Sequence, residues 1–201
     1  MKKKSNSPKG GLTAIAVSLL TALAVFVSCK PNKSTPKRGI PDTYTLAYEE
    51  VYGHCYDSIP YAVVALDLYS DGLELDKNHR IQGTGYNLYL SDIFVPDSLL
   101  EEGTYTSIRK DSLNSPTYQV SPHTFLPGMD FEGYPHGMYL LNIEESKVIQ
   151  IQLLDSGAFE YRNDSLLFTL YFLNSYGSKA TYTCSFNGSL HLWPKKAKIR
   201  I

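Results

Sequence analysis

Cysteine, tryptophan and excess positive charge are all scarce in this chain. Its 201 residues hold three cysteines and one tryptophan. Three thiols cannot form the dense disulfide framework of a small secreted scaffold, and they fall short of a four-thiolate zinc site. Only one apolar run is long, at residues 12–27, and it stops short of the ~20 residues that a membrane-spanning helix needs. No later run approaches that length, so the rest of the chain is expected to be soluble. There is no Gly-x-Ser-x-Gly elbow, and no Gly-rich phosphate loop leads into a helix. Helical periodicity is itself missing after residue 28.

What stands at the N-terminus points to a compartment. Lys2, Lys3, Lys4 and Lys9 precede any acid, and the following apolar run is mostly Ala, Leu and Val. A cationic start before a short apolar run is the pattern of an export signal, here residues 1–28. The junction Phe26-Val27-Ser28-Cys29 resembles a lipobox, the site cut by the lipoprotein signal peptidase, with Phe26 where Leu is usual. Cys29 is therefore the expected lipidation site, bearing fatty-acyl chains such as palmitate. Each buried CH₂ contributes ~0.8 kcal/mol, so several chains make a lasting membrane anchor. Residues 29–42 follow, with prolines, small polar residues and bases. That composition cannot offset its own ordering entropy and reads as a tether, its bases set against anionic headgroups.

Without the four lysines of the signal, fifteen bases face twenty acids, a net charge of −5. Nucleic acid, which requires a basic patch, is excluded as a partner. Sixteen tyrosines are spread along the chain. Tyrosine suits a half-buried sheet face with its hydroxyl in water; the other use of so many rings is a platform for sugars or peptides. With Cys29 lipidated, Cys55 and Cys184 remain. An even pair in an oxidising compartment is expected to form a disulfide, contributing ~4–5 kcal/mol on a chain-entropy account. Two free thiols are the alternative.

Period two dominates residues 43–201. Tyr44, Leu46 and Tyr48 alternate with Thr43, Thr45 and Ala47, and Tyr52 and Tyr56 continue the spacing. Further strands are expected at 61–69, 86–95, 104–108, 138–143, 148–154, 158–161, 166–173, 181–186 and 190–193. Tyr182, Cys184 and Phe186 should share a core face. Asn163-Asp164 is a hairpin turn signal, and residues 98–102 have room for one helical turn. Many short strands separated by turns predict a single all-β domain, an antiparallel barrel or sandwich. Residues 110–136 break the pattern with four prolines and two glycines, so no central strand runs there. Yet Tyr118, Phe125, Phe131 and Tyr134 give that segment a large apolar load. Either these rings plug one end of the domain, which is the expectation, or they stay exposed as a contact patch.

The phrases Gly85-Tyr86-x-Leu88-x-Leu90, Leu100-Glu101-Glu102-Gly103-Thr104-Tyr105-Thr106, Phe125-Leu126-Pro127-Gly128, Gly137-Met138-Tyr139 and Phe186-Asn187-Gly188-Ser189-Leu190 resemble a family of uncharacterised lipoproteins from Bacteroides-type bacteria. Glu101 stands where that family has proline. The likeness spans roughly residues 85–190 and implies a calycin-like barrel or compact sandwich with no catalytic residues to carry over. Surface-exported lipoproteins of that group usually carry acids just after the lipidated cysteine. Here Lys30-Pro31-Asn32-Lys33 follows Cys29, which implies an outer-membrane protein facing the periplasm.

No constellation of residues predicts chemistry. Glu49-Glu50, Glu101-Glu102 and Glu144-Glu145 are adjacent pairs, and neighbours on a strand face opposite ways. The histidines at 54, 79, 123, 136 and 191 show no ligand spacing, and Asp71–Asp76 is too short for a calcium loop and reads as a polar hairpin. Neither metal nor cofactor is expected. Three functions remain in order: a non-catalytic envelope protein binding a partner protein or glycan through loops, a calycin-like carrier of a small apolar ligand, and a hydrolase with an unrecognised site.

Overall fold

The computed structural model describes residues 39–57, 59–109, 120–173 and 178–193. The signal segment, Cys29 and Tyr118 lie outside the described residues. Sixteen strands and no helix form among those described. Residues 98–102, where a helical turn had room to form, instead run as bends and coil.

Twelve strands make one curled mixed sheet, with strands numbered in chain order. Its axis is β6 (Gly85–Val95). On one side β6 pairs with β3 (Ala62–Tyr69), followed by β2 (Leu46–Gly53) and β16 (His191–Leu192). On the other side the sheet forks. The first half of β6 takes β11 (Met138–Glu144), which pairs with β12 (Lys147–Leu153). The second half takes β8 (Thr124–Phe125), and the order continues through β7 (Gly103–Ser107), β13 (Ser156–Arg162), β14 (Ser165–Leu173), β15 (Lys179–Asn187) and β1 (Thr43–Tyr44). The fork has a local cause. Ser91 and Asp92 together oppose the single Ala65, and Asp92 sits at φ 53°. Such a bulge bends its strand, so the two halves of β6 meet different neighbours.

The architecture corrects the expected antiparallel barrel or sandwich. The sheet curls like half a barrel without clear closure, and three of its pairings are parallel: β1 with β15, β7 with β8, and β16 with β2. The parallel partners β1, β8 and β16 are two residues long, short segments laid beside a longer strand. Two small sheets stand outside. One is β4 (Leu73–Leu75) with β5 (Ile81–Gly83), and the other is β9 (Met129–Phe131) with β10 (Tyr134–His136).

The core fills the concave face. Leu88 and Leu90 of β6, Leu66 and Leu68 of β3, Leu166, Phe168 and Leu170 of β14, and Tyr182, Cys184 and Phe186 of β15 are all buried there, as period-two alternation requires. Each such aliphatic or aromatic side chain contributes roughly 1.5–3 kcal/mol through burial. A smaller core on the convex face holds Tyr69, Leu73 and Ile143, with Leu75, Ile81 and Leu141 against them. The β4–β5 hairpin covers it, so the stretch after Asp71 is a hairpin but less polar than expected.

Three hairpins turn on two residues with positive φ: Glu132-Gly133, Glu145-Ser146 and Asn163-Asp164. Both central residues at positive φ match the right-handed twist of the flanking strands. Glu145-Ser146 lacks the usual Asn or Gly and is clamped from outside. Thr84 Oγ1 accepts from Glu145 N at 3.0 Å, Gly83 O accepts from Ser146 N at 2.7 Å, and Gly83 N donates to Ser146 Oγ at 3.0 Å.

Candidate binding surface

The 129–136 ribbon is built from its register upward. Phe131 pairs with Tyr134 across the turn, and Met129 with His136 one step below. Directly opposite residues share a face, as do residues two apart. Met129, Phe131, Tyr134 and His136 therefore lie on one face, and Asp130 and Pro135 on the other. Phe131 meets the edge of His136 at 6.0 Å between ring centroids. Asp130 accepts from Gly133 N at 2.8 Å and fixes the turn. Phe131 is 65% exposed and Tyr134 61%, so neither ring enters the core.

The base of the ribbon is fixed. Gly137, at φ 69°, donates to Ser91 Oγ at 2.8 Å while Ser91 N donates to Gly137 O at 2.9 Å. A Cβ on Gly137 would stand 2.0 Å from Pro127 O, so only glycine permits this approach. Ser91 Oγ donates to Asp92 Oδ2 at 2.8 Å, and Tyr56 Oη donates to Asp92 Oδ1 at 2.7 Å. The same hydrogen-bonded chain thus carries an exposed tyrosine beside the ribbon's root. Tyr52 is also exposed; it donates to Glu50 at 2.8 Å, and its hydroxyl lies 3.2 Å from that of Tyr89.

Behind these groups a row crosses the convex face: Tyr48 opposite Asp67, Asp67 opposite Tyr89, Tyr89 opposite Tyr139. The Tyr89 and Tyr139 rings lie 5.0 Å apart. Asp67 accepts from Tyr69 Oη at 2.5 Å and from Asn87 Nδ2 at 2.5 Å. Its enclosure by rings penalises the charged form and raises its pKa from 3.8 to about 6, against the lowering effect of those two donors. Burial likewise pushes up the hydroxyls of Tyr52, Tyr89 and Tyr139. On the opposite face of β2, next to Tyr48, burial also raises Glu49, which accepts from Leu100 N at 2.6 Å and pins the 97–100 bend.

The residues expected to act together separate. Phe125 is fully buried in the main core, its ring centroid 5.5 Å from that of Phe159, and among the described rings of its segment it is the one that fits the plug expectation. Phe131 and Tyr134 overturn that expectation, because the Gly137 kink carries them off the sheet. The expected Cys55–Cys184 disulfide is absent, and both thiols are free. Six strands lie between β2, which leads to exposed Cys55, and β15, which buries Cys184 among core side chains. Burial pushes the Cys184 thiol up to about 12. Four of the five histidines lie against rings: His79 by Trp193, His123 by Tyr105, His136 by Phe131 and His191 by Tyr48. Among the described residues, no group of three or more His, Cys, Asp or Glu is placed to hold a metal.

Sequence reasoning missed Tyr52, Tyr56, Asp67 and Asp92 as members of one surface. Their signal was the even scatter of tyrosine, which only strand register converts into a row. Set against family models, curated proteins and solved structures, the chain matches none of them.

Proposed function

We propose that this chain is a non-catalytic, lipid-anchored envelope protein that binds a glycan through the 129–136 ribbon and the tyrosines at its root. The observation that carries the reading is the shared face of Met129, Phe131, Tyr134 and His136, held in water by a hydrogen-bonded base at Gly137. Leaving a Phe and a Tyr outside forgoes roughly 1.5–3 kcal/mol of burial each. A two-stranded ribbon has little stability of its own to compensate. Ring faces suit the C–H faces of sugars, and the Glu50 and Asp92 carboxylates beside Tyr52 and Tyr56 suit hydroxyl donors. The aromatic ends are mounted on a rigid sheet, the arrangement in which loops carry recognition.

The likeness to Bacteroides-type lipoproteins and the lipobox-like Cys29 junction support placement at the outer membrane, on its periplasmic face. The concave face gives an apolar-ligand carrier little support, since its centre is filled by packed side chains. The test is a glycan array read with the purified protein, followed by titration of the hits into the Phe131→Ser/Tyr134→Ser double variant. Loss of binding at an unchanged melting temperature is expected. Retained binding would remove the ribbon from the reading.

A further inference from the structure

The concave face is apolar nearly throughout, and one corner departs from that rule. At the fork, where β12 forms an edge, Asn142, Gln150 and Gln152 point into a cavity of about 150 Å³, with Tyr86, Leu140 and Ile40 completing the lining. Register explains the convergence: Asn142 lies opposite Gln150 on β12 and opposite Tyr86 on β6, and Leu140 lies opposite Gln152. Gln150 is exposed and Asn142 and Gln152 are half-buried, so all three amides face solvent through the mouth of the cavity and are open to a ligand. Three carboxamides offer both donors and acceptors, and they stand on a wall where alternation elsewhere places Leu, Phe and Val.

We propose that this cavity binds one neutral monosaccharide ring. The chemistry selects the class. Among the described residues no charged side chain lines the cavity, so a phosphate, an amino acid or a uronic acid would meet no counter-charge from them. The amides can each exchange hydrogen bonds with vicinal hydroxyls, and Leu140, Ile40 and the Tyr86 ring present apolar surface to the C–H face. Pockets that enclose drug-sized ligands run to about 300–1,000 Å³, so a lipid or a long chain does not fit and a single ring does. A neutral ligand of about a dozen non-hydrogen atoms binds with a dissociation constant on the order of 1 mM. The site stands apart from the ribbon and does not depend on it.

The side-chain NH₂ signals of Asn142, Gln150 and Gln152 report directly on occupancy in ¹H–¹⁵N spectra of the purified protein. Glucose and N-acetylglucosamine are the probes, with glucuronate as the charged control. The expected result is a saturable shift of these signals at millimolar concentration with one or both neutral sugars and none with glucuronate. That shift should fall at least tenfold in affinity in Gln150→Ala and in Gln152→Leu, and stay unchanged in Phe131→Ser/Tyr134→Ser. A trisaccharide of the responding sugar separates the sources: equal affinity marks the terminal ring of a glycan, weaker binding marks a free sugar. No shift of the three amides up to about 100 mM, a hundredfold above the expected constant, overturns the proposal. So does a shift that survives both glutamine substitutions, or one abolished by the ribbon variant.

Discussion

Two hairpins with strands of equal length leave the main sheet and meet opposite fates. Each has two three-residue strands, β4 with β5 and β9 with β10. The first lies back on the convex face and closes a small core with Leu73, Leu75 and Ile81 against Tyr69 and Leu141. The second carries Phe131 and Tyr134 into solvent. Apolar content does not separate them, because both are rich in large side chains. The anchor does. At the root Ser70 Oγ accepts from Tyr86 N at 2.8 Å and Thr84 N donates to Gly72 O at 3.0 Å, and at the tip the His79 ring lies 5.7 Å from that of Trp193, so β4–β5 is held at both ends. Among the described residues, the β9–β10 ribbon is held at its root, by Gly137 and Ser91. A hairpin tied at both ends shields hydrophobic surface, and a hairpin tied at one end displays it.

The largest effect should come from the covering hairpin. Leu73→Ala removes a buried side chain that touches the Tyr69 and Ile143 cluster, and such truncations cost about 2–4 kcal/mol. Urea denaturation should show the loss with an unchanged slope. A cost near zero would mean that β4–β5 shields nothing.

The next effect concerns the charge beside that cover. Asp67 has its pKa raised from 3.8 to about 6 by burial. The folded state therefore holds a proton that the unfolded chain releases between those values, and stability falls as pH rises from about 4 to about 6, then levels. The full drop is at most about 3 kcal/mol. Asp67→Asn should flatten most of it; Glu49, also raised by burial, keeps a residual slope of the same sign. Melting temperatures across this interval check the slope, and an unchanged profile in Asp67→Asn would show that the carboxyl is solvated.

Gly137→Ala should cost somewhat less, about 1–3 kcal/mol, from a positive φ and a Cβ placed against Pro127 O. It also tests the one-sided tether, because the ribbon's amide signals should move while those of β4–β5 stay in place.

Much of the strand content could be read from alternation, since Leu88 and Leu90, or Tyr182, Cys184 and Phe186, bury one face in strict period two. The Asn163-Asp164 turn was equally plain, because both residues tolerate positive φ. Closure and pairing were not readable. The fork depends on a bulge at Ser91-Asp92, and the parallel pairings depend on two-residue strands too short to give a periodic signal. The split of the aromatic segment was hidden for a related reason: Phe125 and Phe131 are chemically alike, and only the backbone around Gly137 sends one inward and the other out.

The smallest expected effect on stability is also the most diagnostic for the ribbon. Phe131→Ser with Tyr134→Ser removes two rings that touch each other's strand and His136 and reach no core residue in the described ring contacts. Losing a cross-strand aromatic pair costs about 0.2–1 kcal/mol, and only within a ribbon that the global unfolding transition does not depend on. The double variant should therefore melt within a degree or two of the parent while becoming less prone to associate, since an exposed apolar patch has been removed. Thermal melts and light scattering measure the two quantities on one sample. If the variant instead loses as much stability as Leu73→Ala, the rings are packed against the domain in solution. The two hairpins would then share one role, and the ribbon would be a plug after all.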